Sequence, residues 1–327
     1  MDYQDPVPNE LRRMINFEIT PCPACASGDY KNFLGVPDRF NIADGNKYSL
    51  VECQKCGLIF LNPRPRRDSV AMYYENTGYQ PFLSTQEHLS TIGKVYVAIR
   101  AFASRQKRDL IEKQKRSGRL LDFGCGTGEF LNEMQGSGWK VQGIEKDTTA
   151  MKFARERYKL HVTSEDLQNC RFESGSFDVI TMWHVLEHLH DPLTTLSEIH
   201  RLLHPDGFLL IAVPNIASFD ARFYKENWVA LDAPRHLHHF TPRTMEYICK
   251  KTRFQLERKR PMPLDVFFNV LMSEKLMLAR YNPSTLRLPF YGGRGAYVAS
   301  VSFIKGILSV KSGSSLLYVI RKENSAD

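Results

Sequence analysis

LLDFGCGTGEF, residues 120–130, decides the fold of this 327-residue chain. A short apolar run ends in Asp122, and glycines follow at alternate positions, Gly124, Gly126 and Gly128. Glu129 to Met134 then have the composition of a helix start. Strand, glycine turn and helix N-terminus, in that order, build the carboxyl-edge crevice where open α/β sheets seat their ligands. Glycine suits the turn because the backbone conformations it needs are costly for other residues, and because a ligand can then approach the main chain.

The spacing is G-x-G-x-G, not the G-x-G-x-x-G of dinucleotide-binding loops. Asp122 would repel a diphosphate, so a ligand carrying ammonium and hydroxyl groups suits the loop better. A helix over 129–136 and a strand over 139–144 should follow, and the strand finishes in Glu145, 17 residues past Gly128. An acidic side chain at the tip of a second strand can accept hydrogen bonds from both hydroxyls of a ribose; the alternative is an exposed strand-end carboxylate. A helix over 148–158, a short strand near Leu160–Val162, and buried-type strands at Phe177–Met182 and Phe208–Val213 continue the alternation. Phe254–Arg260 and Ser314–Arg321 alternate like a closing strand pair.

With these residues in order, the chain resembles the class I S-adenosylmethionine (SAM)-dependent methyltransferases, whose first motif reads much like LLDFGCGTG. The resemblance implies an α/β, Rossmann-like class I sheet with helices on both faces, spanning 119–327. It implies SAM held by Asp122, Gly124, Gly126 and Gly128, its ribose on Glu145, and its adenine against Asp166 and Leu167, with Glu165 a local alternative to Asp166. Trp183 and His184 match the fourth motif, which runs along the methionine part of SAM. On a helix, His184, Glu187 and His188 would share one face at i, i+3 and i+4, an arrangement able to bind a divalent cation. The segment is similar to the Glu-x-x-Glu-His of ubiquinone-pathway O-methyltransferases, where metal ligation is part of the family picture. His184 at the first position makes magnesium less natural, since magnesium prefers oxygen ligands.

Two C-x-x-C pairs, Cys22/Cys25 and Cys53/Cys56, stand 27 residues apart in the first 65 residues. Two tight turns of this kind supply four thiolates at tetrahedral corners, the closed coordination of structural zinc. Disulfides or a redox dithiol compete, but the absence of an export signal disfavours the first and the ribbon-like spacing the second. Residues 1–65 are therefore expected to form a zinc ribbon, joined by a helical connection over 66–118. There Ile92 to Lys115 carries Val95, Val97, Ile99, Phe102, Leu110 and Ile111 at helical intervals, expected to pack on the next domain. Tyr73, Tyr74 and Tyr79 could close over a ligand or simply pack. Cys125, Cys170 and Cys249 read as packing residues.

DAPRHLHHFTPRTM, 232–245, crowds His236, His238 and His239 beside Arg235 and Arg243. Histidine can move a proton near neutral pH, so His236 and His239 are the candidate catalytic bases; surface or capping roles are the alternative. Zinc-ribbon sugar C-methyltransferases resemble the chain in architecture and carry a catalytic histidine that His236 matches, but Arg235 replaces their Glu. That substitution favours an acceptor with an anionic group.

The expected acceptor is a small molecule or glycan intermediate, methylated at oxygen or carbon. Two alternatives remain: an RNA methyltransferase that uses the net charge of +8, and a zinc-ribbon binding protein that has lost activity. The basic runs Lys94–Arg119 and Lys250–Arg260 read as solvated helix faces more readily than as a nucleic-acid patch. An apolar insertion at about 261–313 could be a lid, a homodimer surface or a peripheral membrane contact, with packing on the core the plainest reading. No stretch reads as a transmembrane segment, and the expected location is cytoplasmic.

Overall fold

A computed structural model describes residues 17–41, 47–75, 91–281 and 288–323. The N-terminal part is short strands: β1 (Phe17–Glu18), β2 (Tyr30–Pro37), β3 (Lys47–Cys53), β4 (Ile59–Leu61) and β5 (Arg64–Pro65). Strands β2, β3 and β4 form an antiparallel meander, and β1 pairs with β5. Helices α1 (Met72–Glu75) and α2 (Thr91–Glu112) lead to the central sheet; Tyr79 lies outside the described residues.

The chain then alternates: β6 (Arg119–Phe123), α3 (Glu129–Gly136), β7 (Lys140–Ile144), α4 (Thr148–Tyr158), β8 (Val162–Thr163), β9 (Phe177–Trp183), α5 (Pro192–Leu202) and β10 (Leu203–Pro214). After α6 (Phe219–Tyr224) come β11 (His238–His239), α7 (Pro242–Lys251), β12 (Phe254–Pro261), α8 (Asp265–Tyr281), α9 (Leu288–Leu308) and β13 (Ser315–Lys322). The large sheet has the order β12-β13-β10-β9-β6-β7-β8, with only β13 antiparallel to its neighbours. From β6 the chain moves outward to β7 and β8, then returns to place β9 on the other side. The crevice at the carboxyl ends of β6 and β9 is therefore the switch point where such sheets bind ligands.

Strand period explains why this sheet is buried on both faces. Leu121, Ile180, Met182, Leu209 and Ile211 face one core, while Leu120, Val179, Leu210 and Ala212 face the other. The cysteine ribbon is continuous with the first of these cores, through Val51, Leu58 and Phe60. Its sheet also takes a fourth strand from far along the chain: β11 pairs with β4, His238 opposite Phe60 and His239 opposite Ile59. The ribbon thus holds the histidine segment in place.

Three expectations need correction. Helix α2 packs through only part of the apolar stripe read from sequence: Ile111 is buried and Leu110 packs beside it, while Ile99 and Phe102 are exposed. It docks through Ser104 and Ile111 and through ion pairs to α3, Arg100 to Glu129 at 3.2 Å and Arg108 to Glu133. These pairs, with Lys115 to Asp178 at 2.7 Å, account for part of the basic run. Second, no helix carries His184, Glu187 and His188 on one face: His184 has φ +57°, and only a 3-10 turn, Leu186–His188, follows. Third, Arg235 does not face an acceptor. Its guanidinium is fully buried, bonded to Asp38 at 2.5 Å and Asp232 at 2.9 Å, and lies over the Phe40 ring.

In the segment 261–313, Val266, Val270, Val298 and Ala299 pack inward, while Phe267, Phe268, Leu271, Ile304, Ile307 and Leu308 are exposed. No helix among the described residues is long and apolar enough to cross a membrane.

Candidate active site

The glycine loop adopts the left-handed backbone that its composition anticipates: φ is +79° at Gly124, +55° at Gly126 and +83° at Gly128. Gly124 also has no room for a side chain, because a Cβ there would lie 2.4 Å from Val185 Cγ2. The loop is tied to the second strand by Glu145, whose Oε2 accepts from the Gly126 N–H at 2.7 Å and whose Oε1 accepts from the Asp147 N–H at 2.8 Å. Burial raises the Glu145 carboxyl above its ordinary pKa. A partly exposed carboxylate at this strand tip keeps acceptor capacity for hydroxyl donors beyond the loop.

Asp122 lies beneath the loop, buried, and accepts from the Thr181 hydroxyl of β9 at 2.6 Å. Burial pushes its pKa up to about 7. A buried carboxylate of this kind is stabilised by an incoming cation. Lys107 of α2 now supplies part of that charge. Its Nζ sits 4.2 Å from the Trp183 ring and 5.7 Å from the Phe130 ring, and burial lowers its pKa to about 8. Trp183 packs edge-on against Phe130, and its buried Nε1 has no hydrogen-bond partner among the described residues. A buried donor left without a partner beside apolar rings fits a ligand with both polar and apolar parts.

Asp166 follows β8 at the edge of the sheet, half exposed and paired with Lys146 at 2.8 Å. That bond holds its carboxyl below the usual carboxylate range. Leu167 opens a 3-10 turn and is buried in the core.

Where the chain leaves β9, His184 bridges two carboxylates, Asp265 at 3.2 Å and Glu187 at 3.5 Å. Burial alone would lower its pKa, but these partners push it up to about 10, so the ring is a cation at neutral pH. His236 and His239 lie near each other, ring centroids 6.4 Å apart, and His188 packs edge-on against His236 at 4.5 Å. The Tyr74 hydroxyl is 3.0 Å from His188 Nδ1. Burial holds His236 well below its usual pKa and lowers His239 to about 3. Both rings are neutral at neutral pH. The Nε2 of His239 has no partner among the described residues.

The four cysteines are free and converge, Cys22 and Cys56 sulfurs 3.5 Å apart, Cys25 and Cys53 likewise 3.5 Å. All four sulfurs lie within 4.8 Å of one another. A tetrahedral ion with metal–sulfur bonds of about 2.3 Å has sulfur–sulfur edges of about 3.8 Å, so the donor set fits such an ion.

Sequence reasoning missed Lys107 and Asp265. Lys107 is one of many cations in a basic run and Asp265 a lone carboxylate at a helix start, and no local pattern marks either as facing the crevice.

Sheet order, switch-point crevice and a glycine loop clamped by a strand-tip carboxylate together define the class I methyltransferase architecture. The methyltransferase domain family matches residues 96–259, half of the chain, and the chain belongs to it. Among curated proteins it is 34% identical over 107 residues to the ubiquinone biosynthesis O-methyltransferase of Glaesserella parasuis serovar 5 (strain SH0165), covering 30% of this chain and 45% of that one. It is 35% identical over 138 residues to the demethylmenaquinone methyltransferase of Lactococcus lactis subsp. lactis (strain IL1403), covering 37% and 55%. The chain spans about half the length of these relatives. Among solved structures, the geranyl diphosphate C-methyltransferase of Streptomyces coelicolor A3(2) has a TM-score of 0.47 and 15% identity, covering 74% of this chain and 83% of that one. A SAM-dependent methyltransferase from Archaeoglobus fulgidus has a TM-score of 0.44 and 19% identity, covering 68% and 94%.

Proposed function

We propose that the chain transfers the methyl group of SAM to an oxygen or carbon of a small molecule or glycan intermediate, and that Cys22, Cys25, Cys53 and Cys56 hold a structural zinc ion. The observation that carries the first reading is the pairing of the Glu145-clamped glycine loop with buried Asp122 at one sheet edge. Glu145 would accept from the ribose hydroxyls, Asp122 would face the ammonium group, and Asp166 with Leu167 would border the adenine. When bound, SAM supplies a methyl group activated for in-line displacement by its sulfonium.

The chain's own contribution is mainly positioning. Trp183 and His184 border the crevice between cofactor and acceptor. His236 and His239 offer neutral imidazoles that can take a proton from an acceptor hydroxyl. The names of the curated relatives support a small-molecule acceptor. The pairing of Arg100, Arg108 and Lys115 with acidic residues leaves less free charge on α2 and the turn after it for a phosphate backbone, which counts against RNA.

Incubation with methyl-labelled SAM and separate RNA, protein and metabolite fractions tests this. Label in the metabolite fraction is expected, and label confined to RNA overturns the acceptor class. If His236→Ala and His239→Ala both keep full turnover, neither is the base.

A further inference from the structure

Glu187 is almost wholly buried, at 1% exposure, yet neither carboxylate oxygen has a hydrogen-bond partner among the described residues. Its ion-pair partner is His184 at 3.5 Å, and that imidazolium is shared with Asp265. A buried carboxylate in this condition is costly, and such groups are completed by an ion or by water.

Two imidazoles meet this carboxylate from separate elements. His188 comes from the 3-10 turn after β9, and His236 from the segment ahead of β11. Each is anchored through Nδ1 on a main-chain carbonyl, His236 on Ala230 at 2.8 Å and His188 on Arg235 at 3.1 Å. A carbonyl can only accept, so the His236 Nδ1 carries the proton and its Nε2 keeps its lone pair; the His188 Nδ1 also meets the Tyr74 hydroxyl at 3.0 Å, and its Nε2 is free to ligate in the tautomer that donates from Nδ1. Metal-ligating histidines are held in this way, with the second nitrogen donating to a carbonyl.

One ligand atom from each of the three residues lies within 4.8 Å of the others. A triangle no larger than that leaves every ligand atom within about 2.8 Å of a common point, so closing to the ~2.1 Å of a zinc–nitrogen bond requires only small side-chain shifts.

We propose that Glu187, His188 and His236 form a second metal site, separate from the cysteine cluster, that takes a divalent transition-metal cation of the zinc class. Two imidazoles and one carboxylate suit zinc or its transition-metal neighbours better than magnesium or calcium, which prefer all-oxygen shells. Three protein ligands leave a position open to water or to an acceptor oxygen. The ligand set differs from the helical triplet read from sequence. His184 is turned out of it by its left-handed backbone and bound to Asp265, and His236 takes its place. With His236 as a ligand, the proton-accepting role falls to His239. The site stands on this geometry alone and does not require methyl transfer.

Cobalt(II) titration of the full chain, stripped of metal and kept reduced, separates the two sites. Cobalt on the cysteines gives an intense sulfur-to-metal charge-transfer band, whereas cobalt on nitrogen and oxygen gives weaker visible bands without it. The expected result is two equivalents per chain, the second adding no charge-transfer intensity. Glu187→Gln and His236→Gln should each bind one equivalent with the charge-transfer band intact, which also shows that the ribbon remains folded. Saturation of the wild type at one equivalent overturns the site, as does retention of two equivalents in both variants.

Discussion

Replacing Glu145 by Gln tests the cofactor geometry at one atom pair. The carboxylate bridges the loop and its own strand tip, accepting from Gly126 N–H at 2.7 Å and Asp147 N–H at 2.8 Å. The amide keeps the shape but turns an NH2 toward one donor and removes the charge. A hydrogen bond to a carboxylate contributes about 1.5–3 kcal/mol and one to a neutral group about 0.5–1.5. Two ribose hydroxyls therefore lose about 2–3 kcal/mol together, a weakening of SAM binding of roughly 30- to 150-fold. Calorimetric titration with S-adenosylhomocysteine and with its 2′-deoxy analogue completes a double-mutant cycle. The wild type should lose about tenfold on removal of the hydroxyl, and the variant much less. Equal losses in the two proteins, or a Glu145→Gln variant that binds SAM within about threefold of wild type, would refute the ribose assignment.

Three other outcomes follow from the same geometry. Asp122 binds an ammonium group only when ionised, and burial raises its pKa to about 7, so SAM affinity should fall as pH drops below about 7, by up to tenfold per unit; in Asp122→Asn, calorimetry across pH 5.5–8.5 should find weak binding with little slope. Gly124→Ala meets both a φ of +79° and a 2.4 Å contact with Val185, whereas Gly138→Ala meets a φ of +90° in open space. Thermal or urea unfolding should therefore give losses of about 2–5 kcal/mol for the first and about 1–2 for the second. Chelation of the zinc proposed at the four cysteines should lower the melting temperature of the whole unit in a single shift, since the ribbon shares its core with β6, β9 and β10; an unchanged transition for the large sheet would contradict that continuity.

The parts legible in the sequence were those encoded locally. Glycines at alternate positions take the left-handed turn that their composition anticipates, with Glu145 bonded to the loop, and the closing strands at 254–261 and 315–322 follow from simple alternation. The parts missed depend on distant pairings. Helix α2 packs by Leu110 and Ile111 of its apolar stripe, but it also docks through Arg100 and Arg108 on two glutamates of α3, and periodicity of apolar residues is blind to that. His184, Glu187 and His188 have helical spacing, but His184 sits at φ +57° where the chain leaves β9, so no helix forms; His184 still meets Glu187, while Asp265 and His236, distant along the chain, join the group unannounced. Asp265 comes from the segment read as an insertion, and β11 is only two residues long. Arg235 looked like a substrate-facing charge because nothing local announced Asp38, 197 residues away, as its partner.

The central claim is that SAM binds at the Asp122–Glu145 edge of the sheet. Titration of the purified chain with SAM, repeated on the Asp122→Asn and Glu145→Gln variants, measures it most directly. Saturable binding at one SAM per chain, lost or strongly weakened in both variants while their unfolding transitions persist, is the predicted result. Absence of binding in the wild type, or equal affinity in all three proteins, would contradict the account.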